Sequence, residues 1–173
     1  MIRDKNCREL RSQSHSTETF QIKNEYLRVI GGNTTCDYMI LTHVSFFREK
    51  GSDVTMSLNF TLFEEINLEN DIEIRSQFYS WKSNEYRKTP ISWTMKACNI
   101  LRSHIFSVET IMKNSDIRSC PIKKGKHYMH NITMDGVNWP STFPEGRWKN
   151  HLEYWIKNKC CVKVNWMFRI DKH

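Results

Sequence analysis

The sequence predicts a mainly β protein: an antiparallel β-sandwich of seven or eight strands with one amphipathic helix. Apolar and polar residues alternate along several short segments, and this period is typical of half-buried antiparallel strands. Turn residues separate these segments from one another. Only one stretch, about 99–115, repeats its apolar residues at helical spacing.

Four strands are predicted before residue 80. Segment 25–30 ends at two glycines, and segment 37–47 ends at the charged turn 48–51. The clearest strand is 54–62, where every second residue is apolar: Val54, Met56, Leu58, Phe60 and Leu62. Ile72, Ile74 and Phe78 continue the alternation on the next strand, and Pro90 and Ile91 begin a further extended piece that leads to Cys98.

One segment departs from the β period. Its apolar face predicts a single helix of about four turns, with Asn99 as the N-cap, from Ile100, Leu101, His104, Ile105, Val108, Ile111 and Met112. The β pattern returns after Cys120, with a strand through Tyr128 that ends before Pro140 and the turn 144–146. Two further strands each place one set of apolar residues on one face: Trp148, Leu152, Tyr154 and Ile156, then Val162, Val164, Trp166, Phe168 and Ile170.

Length and composition indicate one folded domain. The chain has 173 residues, of which 39% are hydrophobic and 12% aromatic. We expect residues 1–22 to form a polar lead-in and residues 23–173 a single domain. The polar start contains no apolar leader, so no secretory signal peptide is visible, and no apolar run approaches the roughly 20 residues of a membrane-spanning helix.

Six cysteines permit three disulfides. Cys98 and Cys120 bracket the predicted helix, so we expect a disulfide between them that holds the helix against the sheet and contributes about 3 kcal/mol. Strand parity predicts that Cys160 points inward and Cys161 outward, and the pairing of these two with Cys7 and Cys36 stays open. The cysteines lack metal-site spacing, and His127 and His130 fall on opposite strand faces, so no metal site is predicted.

The net charge of +7 is concentrated in residues 101–173, which carry thirteen basic and six acidic side chains. Such an excess suits anionic partners, but it also occurs when lysine and arginine solvate the outer faces of strands. No helix-turn-helix, zinc-finger or RNP-like pattern accompanies the charge, so nucleic-acid binding is not favoured. The basic turn 118–126 is either a solvated loop or a site that steers an anionic group.

No enzyme class is indicated. The chain has no G-x-S-x-G elbow and no glycine-rich phosphate loop, and no cofactor motif is present. His43, His104 and His151 occur singly, although a Cys–His hydrolase remains an alternative if the cysteines are free. Three N-x-[ST] sequons are candidate glycosylation sites, close to the number that chance would place in this composition: Asn33, Asn59 and Asn131.

Over residues 25–170 the chain resembles the insect branch of the MD-2-related lipid-recognition proteins, and more narrowly the secreted chemosensory proteins related to the GM2 activator, the CheA/CheB group. The residues that carry the resemblance are Cys98-Asn-Ile-Leu, Cys120-Pro-Ile-Lys-Lys-Gly, Tyr128, Asn131, Pro140, Pro144-Glu-Gly and Trp148, with Tyr86-Arg-Lys-Thr-Pro-Ile and strand 54–62 upstream.

The resemblance implies a secreted, monomeric, immunoglobulin-like sandwich whose sheets splay apart over an apolar cavity for a lipid or pheromone-like molecule. It also implies a link to chemosensory perception in insects and a membrane receptor as partner. Inward strand parity predicts the residues that would line the cavity: Met56, Leu58, Phe60, Ile74, Phe78, Leu152, Tyr154, Val164, Trp166 and Phe168. The same residues would equally form a closed core.

Three function classes follow. The first is an extracellular, non-catalytic carrier of a hydrophobic ligand. The second is an extracellular protein-interaction module with a closed core that acts through its basic C-terminal third. The third is a cytosolic basic protein with free thiols that binds nucleic acid.

Overall fold

The computed structural model describes residues 20–30, 36–65, 71–136, 139–140 and 143–172. Within them the chain forms eight strands and two short helices. Their bounds are β1 Phe20–Ile30, β2 Met39–Phe47, β3 Thr55–Leu62, β4 Ile72–Lys82, β5 Glu85–Lys96, α1 Ala97–Ser103, α2 Val108–Lys113, β6 Gly125–Ile132, β7 Gly146–Ile156 and β8 Lys159–Lys172.

The predicted fold class is confirmed: the strands form two antiparallel sheets. The large sheet has five strands in the order β1-β8-β7-β4-β5, and the small sheet has three in the order β2-β3-β6. Each predicted strand segment overlaps one of these strands. β1 begins at Phe20, so it includes the last three positions of the predicted lead-in, whose residues 1–19 lie outside the described part.

Pro90 lies within β5, where proline is tolerated because β5 is an edge strand. Proline has no N–H to donate, and the β4–β5 register shifts between Gln77 and Tyr79. The Gln77 amide donates to the carbonyls of Thr89 and Ile91 at 2.8 and 3.2 Å. The Gln77 side chain thus pairs two β5 carbonyls beside the bulge, and the Thr89 hydroxyl supplies a β5 donor to the Phe78 carbonyl at 2.8 Å.

The inner faces of both sheets pack into one apolar core. The large sheet contributes the most deeply buried side chains, with Phe168 and Ile170 at 0% exposure and Phe78 at 1%. Met39, Phe60 and Leu62 enter the same cluster from the small sheet. Burial of both inner faces against each other is what holds two sheets together as a sandwich.

The prediction of one continuous helix over about 99–115 is wrong. α1 and α2 are separated by residues 104–107, where His104, Phe106 and Ser107 adopt left-handed backbone angles of 52°, 53° and 63°. Ser107 is buried, and its hydroxyl accepts hydrogen bonds from the Trp139 indole and the Asp135 amide. These contacts to a distant loop override the helical periodicity. The N-cap is also Lys96 rather than Asn99, which lies inside α1.

Two disulfides are present among the described residues. Cys98 and Cys120, the pair considered in the sequence analysis, are bonded to each other, and Cys36 is bonded to Cys161. Cys36 lies just before β2, and Cys161 lies in β8. The Cys36–Cys161 bond therefore connects the small sheet to the large one.

The predicted orientations of Cys160 and Cys161 are wrong. Cys161 is buried in its disulfide, whereas Cys160 has a free thiol and is half-buried on the outer face. The cause is a register shift in the β7–β8 pairing: Trp155 pairs with Cys160 but Tyr154 pairs with Val162. Cys161 is therefore the extra residue of a β-bulge, and the strand parity changes across it.

Candidate functional site

The ten residues predicted to line an apolar site lie together. Six are buried in the common core: Phe60, Phe78, Leu152, Val164, Trp166 and Phe168. Four are partly buried and pack against it: Met56, Leu58, Ile74 and Tyr154. The set therefore occupies the interior between the two sheets, which is the candidate site.

Aromatic rings from outside the strands complete this interior. The Phe78 ring lies 5.1 to 6.5 Å, centroid to centroid, from the rings of Phe106, Trp139, Phe143 and Phe168. Such offset and edge-on contacts stabilise an apolar core beyond simple burial. Strand parity does not predict Phe106, Trp139 and Phe143, because these residues lie in connections, where no alternation assigns a side chain to a face.

The small sheet leaves part of its inner face accessible. Phe46 is paired in register with Met56, so both side chains lie on the inner face, yet Phe46 is 43% exposed and Met56 is only partly buried. Leu58, two residues further along β3, is also only partly buried. Apolar side chains that face a sandwich interior but remain in contact with water form a surface that an apolar ligand can cover.

A helical segment bridges one side of the sandwich. α1 follows directly from β5, the edge of the large sheet. The residues after α2 contact β6, the edge of the small sheet, through a Ser115–Met129 bridge and a 2.8 Å hydrogen bond from the His130 amide to the Asn114 carbonyl. The Cys98–Cys120 disulfide joins the two ends of this segment. The segment thus spans the gap between two sheet edges.

Direct hydrogen bonds tie the opposite side, between β1 and β2. The Arg48 guanidinium, just after β2, donates to the carbonyls of Asn24 and Glu25 in β1 at 3.2 and 2.6 Å. The Asn24 side-chain amide donates to Thr133 Oγ1 and the Met134 carbonyl, which follow β6. Both contacts join the large sheet to chain segments of the small sheet. On the β5–β6 side, the helical segment connects the two sheet edges.

The histidines of β6 face opposite ways. His127 lies on the inner face with its ring centroid 5.4 Å from that of Phe60, and its nitrogens contact Asp116 Oδ2 and the Lys123 carbonyl. His130 contacts Asn59 Oδ1 on the outer face. Among the described residues, no group of three or more His, Cys, Asp or Glu side chains is arranged to hold a metal ion.

None of the helices in the described part of the chain is long and apolar enough to cross a membrane.

The outer face of the large sheet is polar and carries a shallow groove of about 310 Å³. Burial acts to raise the pKa of Glu153 in this groove, but hydrogen bonds from Trp155, Lys163 and His151 outweigh it, and the pKa is lowered. Burial, together with the negative charge of Glu153, raises the pKa of the Cys160 thiol. A thiol that stays protonated at neutral pH is a weak nucleophile.

The remaining candidate residues are dispersed. Asn59 is half-buried on β3 and accepts a hydrogen bond from His130, whereas Asn131 is exposed at a bulge of β6. Asn33 and Cys7 lie outside the described residues. His43, His104 and His151 lie on β2, after α1 and on β7, respectively.

A family model described as a protein of unknown function (DUF1091) matches residues 72–150, from the start of β4 into β7. No curated protein matches the chain significantly. Among solved structures, the chain is similar to the crystal structure of chicken MD-1 complexed with lipid IVa, at 13% identity and a TM-score of 0.34, over 88% of this chain and 97% of that one. The central segment is thus similar to a family that has no described function.

Proposed function

We propose that the protein is a non-catalytic carrier that binds a hydrophobic ligand, a lipid or pheromone-like molecule, between its two sheets. One observation carries the proposal: the inner-face apolar residues Phe46, Met56 and Leu58 are incompletely covered by the protein's own core. Covering such apolar surface contributes roughly 25 cal/mol of favourable binding free energy for each Å² that is removed from water. A long-chain ligand supplies that cover without any charged partner.

Secretion is part of the proposal. Two disulfides connect residues far apart in sequence, and such bonds persist in oxidising compartments. We further propose that the protein acts as a monomer in insect chemosensory perception of the CheA/CheB type and passes its ligand to a membrane receptor. The sequence motifs that resemble the CheA/CheB group, such as Cys120-Pro-Ile and Pro144-Glu-Gly, support this narrower role.

The outer face of the large sheet favours a second candidate, an extracellular protein-interaction module. Lys149 Nζ lies 4.1 Å from the centroid of the Tyr79 ring and 5.3 Å from that of Tyr86, and exposed Trp81 packs edge-on against Tyr86. Aromatic side chains are enriched in protein interfaces relative to the rest of the surface. This candidate requires no ligand between the sheets.

Native mass spectrometry of protein secreted from insect cells tests the carrier. We expect a population of greater mass that releases a long-chain molecule on organic extraction, and saturable uptake of hexadecyl acetate by delipidated protein. Recovery of only ligand-free protein, with no uptake of long-chain lipids or hydrocarbons, would contradict the carrier and favour the interaction module.

Two adjacent phenylalanines provide a matched pair of variants. Phe46 lies on the inner face of β2, whereas Phe47, paired with Thr55, lies on the outer face and is 62% exposed. We expect Phe46→Glu to weaken hexadecyl acetate uptake at least tenfold, because it places a carboxylate on the apolar surface, and Phe47→Glu to leave uptake unchanged. Equal uptake by both variants would place the ligand elsewhere.

A further inference from the structure

Trp93 is a buried hydrogen-bond donor without an acceptor. Its indole Nε1 is shielded from solvent and has no hydrogen-bond partner among the described residues. Buried polar groups are almost always paired in folded proteins, so an unpaired one calls for an explanation.

The other tryptophans show that this chain otherwise pairs its indoles. Trp81 is exposed. Each of the remaining four donates its Nε1–H to a protein acceptor at 2.8 to 3.3 Å: Trp139 to Ser107, Trp148 to Pro144, Trp155 to Glu153 and Trp166 to Asn24. Trp93 is the exception, and it is also the one that lies on an edge strand beside the helical segment.

The position of Trp93 connects it to the interior. In β5 it pairs in register with buried Ser76 of β4 and packs against the common core. Its ring stacks on Phe106 at an interplanar angle of 17° and a centroid distance of 5.8 Å. Phe106 in turn contacts Phe78 and Trp139 of the aromatic cluster. The unpaired donor thus lies at the margin of the interior, on the side that the helical segment covers.

The cover over Trp93 is conformationally strained. Phe106 has a φ of 53° and Ser107 a φ of 63°, a region that bulky L-residues rarely occupy. Strained backbone of this kind concentrates at ligand clamps and functional loops, where surrounding contacts hold it in place. An unpaired donor and a strained cover therefore coincide at one end of the apolar interior.

We propose that Trp93 Nε1 donates a hydrogen bond to a neutral oxygen of the bound ligand, so that the ligand is a long-chain ester, ketone or alcohol rather than a plain hydrocarbon. This inference rests on the proposed carrier function. The polar end of the ligand lies beneath Phe106, and its chain extends along the interior towards the incompletely covered Met56 and Leu58.

The oxygen is neutral because the cover over Trp93 is aromatic. The Trp93 ring stacks on Phe106, which in turn contacts Phe78 and Trp139, and these rings offer no charge to a buried carboxylate, whose burial without a partner is costly. A site built to donate one hydrogen bond discriminates against an analogue that lacks the acceptor, because the donor is then left unpaired again.

A matched pair of probes tests the inference. Hexadecyl acetate carries an ester oxygen, and nonadecane has nearly the same length without one; both displace N-phenyl-1-naphthylamine from delipidated protein. We expect the wild type to prefer the ester by about tenfold, the size of one hydrogen bond. Trp93→Phe should lose this preference while it keeps its affinity for nonadecane within about twofold.

A second variant separates the loss of the N–H group from any misfolding of Trp93→Phe. Replacement of Trp93 by 3-benzothienylalanine preserves the ring shape and removes only the N–H, and it should also lose the preference. Trp155→Phe, on the outer face, should retain it. An ester preference that persists in both Trp93 variants would overturn the inference but leave the carrier intact. Failure of both probes to bind the wild type would overturn the carrier and, with it, this inference.

Discussion

At the scale of single residues, Asn24 is a buried polar residue whose side chain forms several hydrogen bonds to other segments. It is 3% exposed, accepts a hydrogen bond from Trp166 Nε1 at 2.8 Å, and donates to Thr133 and Met134. We expect Asn24→Ala to lower the free energy of unfolding by about 2–3 kcal/mol, because it leaves the buried indole donor unpaired. Urea denaturation monitored by tryptophan fluorescence measures this loss.

Asn165 provides the control for that substitution. It is half-buried on the outer face of β8, and its side-chain oxygen contacts His151 Nδ1 at 2.8 Å. Water can replace that contact, so we expect Asn165→Ala to change stability by less than about 0.5 kcal/mol. Equal losses in both variants would mean that the Asn24 network contributes nothing specific.

The two described sequons differ in accessibility. Asn131 is exposed at a bulge, whereas Asn59 is half-buried and engaged with His130. In protein secreted from insect cells, we expect Asn131→Gln to reduce the mass shift on treatment with peptide N-glycosidase F by one glycan, and Asn59→Gln to leave the shift unchanged. The reverse result would show that the Asn59–His130 contact does not protect the side chain.

At the scale of elements, the two disulfides have distinct tasks. Cys98–Cys120 joins the ends of the helical segment and closes a separation of 22 residues, whereas Cys36–Cys161 joins the sheets and closes 125. Loop-closure entropy predicts that Cys36→Ala/Cys161→Ala costs about 1.5 kcal/mol more stability than Cys98→Ala/Cys120→Ala. Chemical denaturation of both double variants measures the difference.

Hydrogen exchange separates the local from the global effect. In Cys98→Ala/Cys120→Ala we expect faster exchange confined to α1, α2 and their connection, because the segment loses its anchor while the sheets keep theirs. Faster exchange throughout β7 and β8 would instead assign that disulfide a role in holding the whole sandwich.

At the scale of the whole molecule, acid weakens the outer face of the large sheet. Hydrogen bonding to Arg75 lowers the pKa of Glu73, hydrogen bonding to Lys23 lowers that of Asp171, and three donors outweigh burial to lower that of Glu153. A carboxyl whose pKa is lower in the folded than in the unfolded state stabilises fully above its ordinary pKa and loses that contribution as the pH falls through the folded value.

Stability should therefore decline as the pH falls below the ordinary values of 4.5 for glutamate and 3.8 for aspartate. We expect Glu153→Gln to cost about 1 kcal/mol at pH 7 and distinctly less at pH 3, where the wild-type carboxyl also becomes neutral. Thermal denaturation at both pH values tests this. A constant difference between wild type and variant would attribute the loss to packing rather than charge.

Much of the fold and half of the site could be predicted because they depend on local periodicity. Alternation along β3, β4, β7 and β8 places six of the ten predicted residues in the buried core and the other four against it, since side chains of a regular strand alternate between its faces. The prediction failed where one residue breaks the period. The bulge at Cys161 reverses the orientations of Cys160 and Cys161, and the buried Ser107 divides the predicted helix into α1 and α2.

The amino-acid pattern was sufficient for the type and approximate number of the strands, the inward face of their regular parts and the Cys98–Cys120 pair, because all of these follow from spacing along the chain. The remaining features depend on which segments meet in space. The exposed inner face at Phe46, the aromatic rings from the connections and the unpaired indole of Trp93 arise from packing three strands and a helical segment against five. No local period encodes that arrangement, so only the folded sandwich reveals where a ligand would lie.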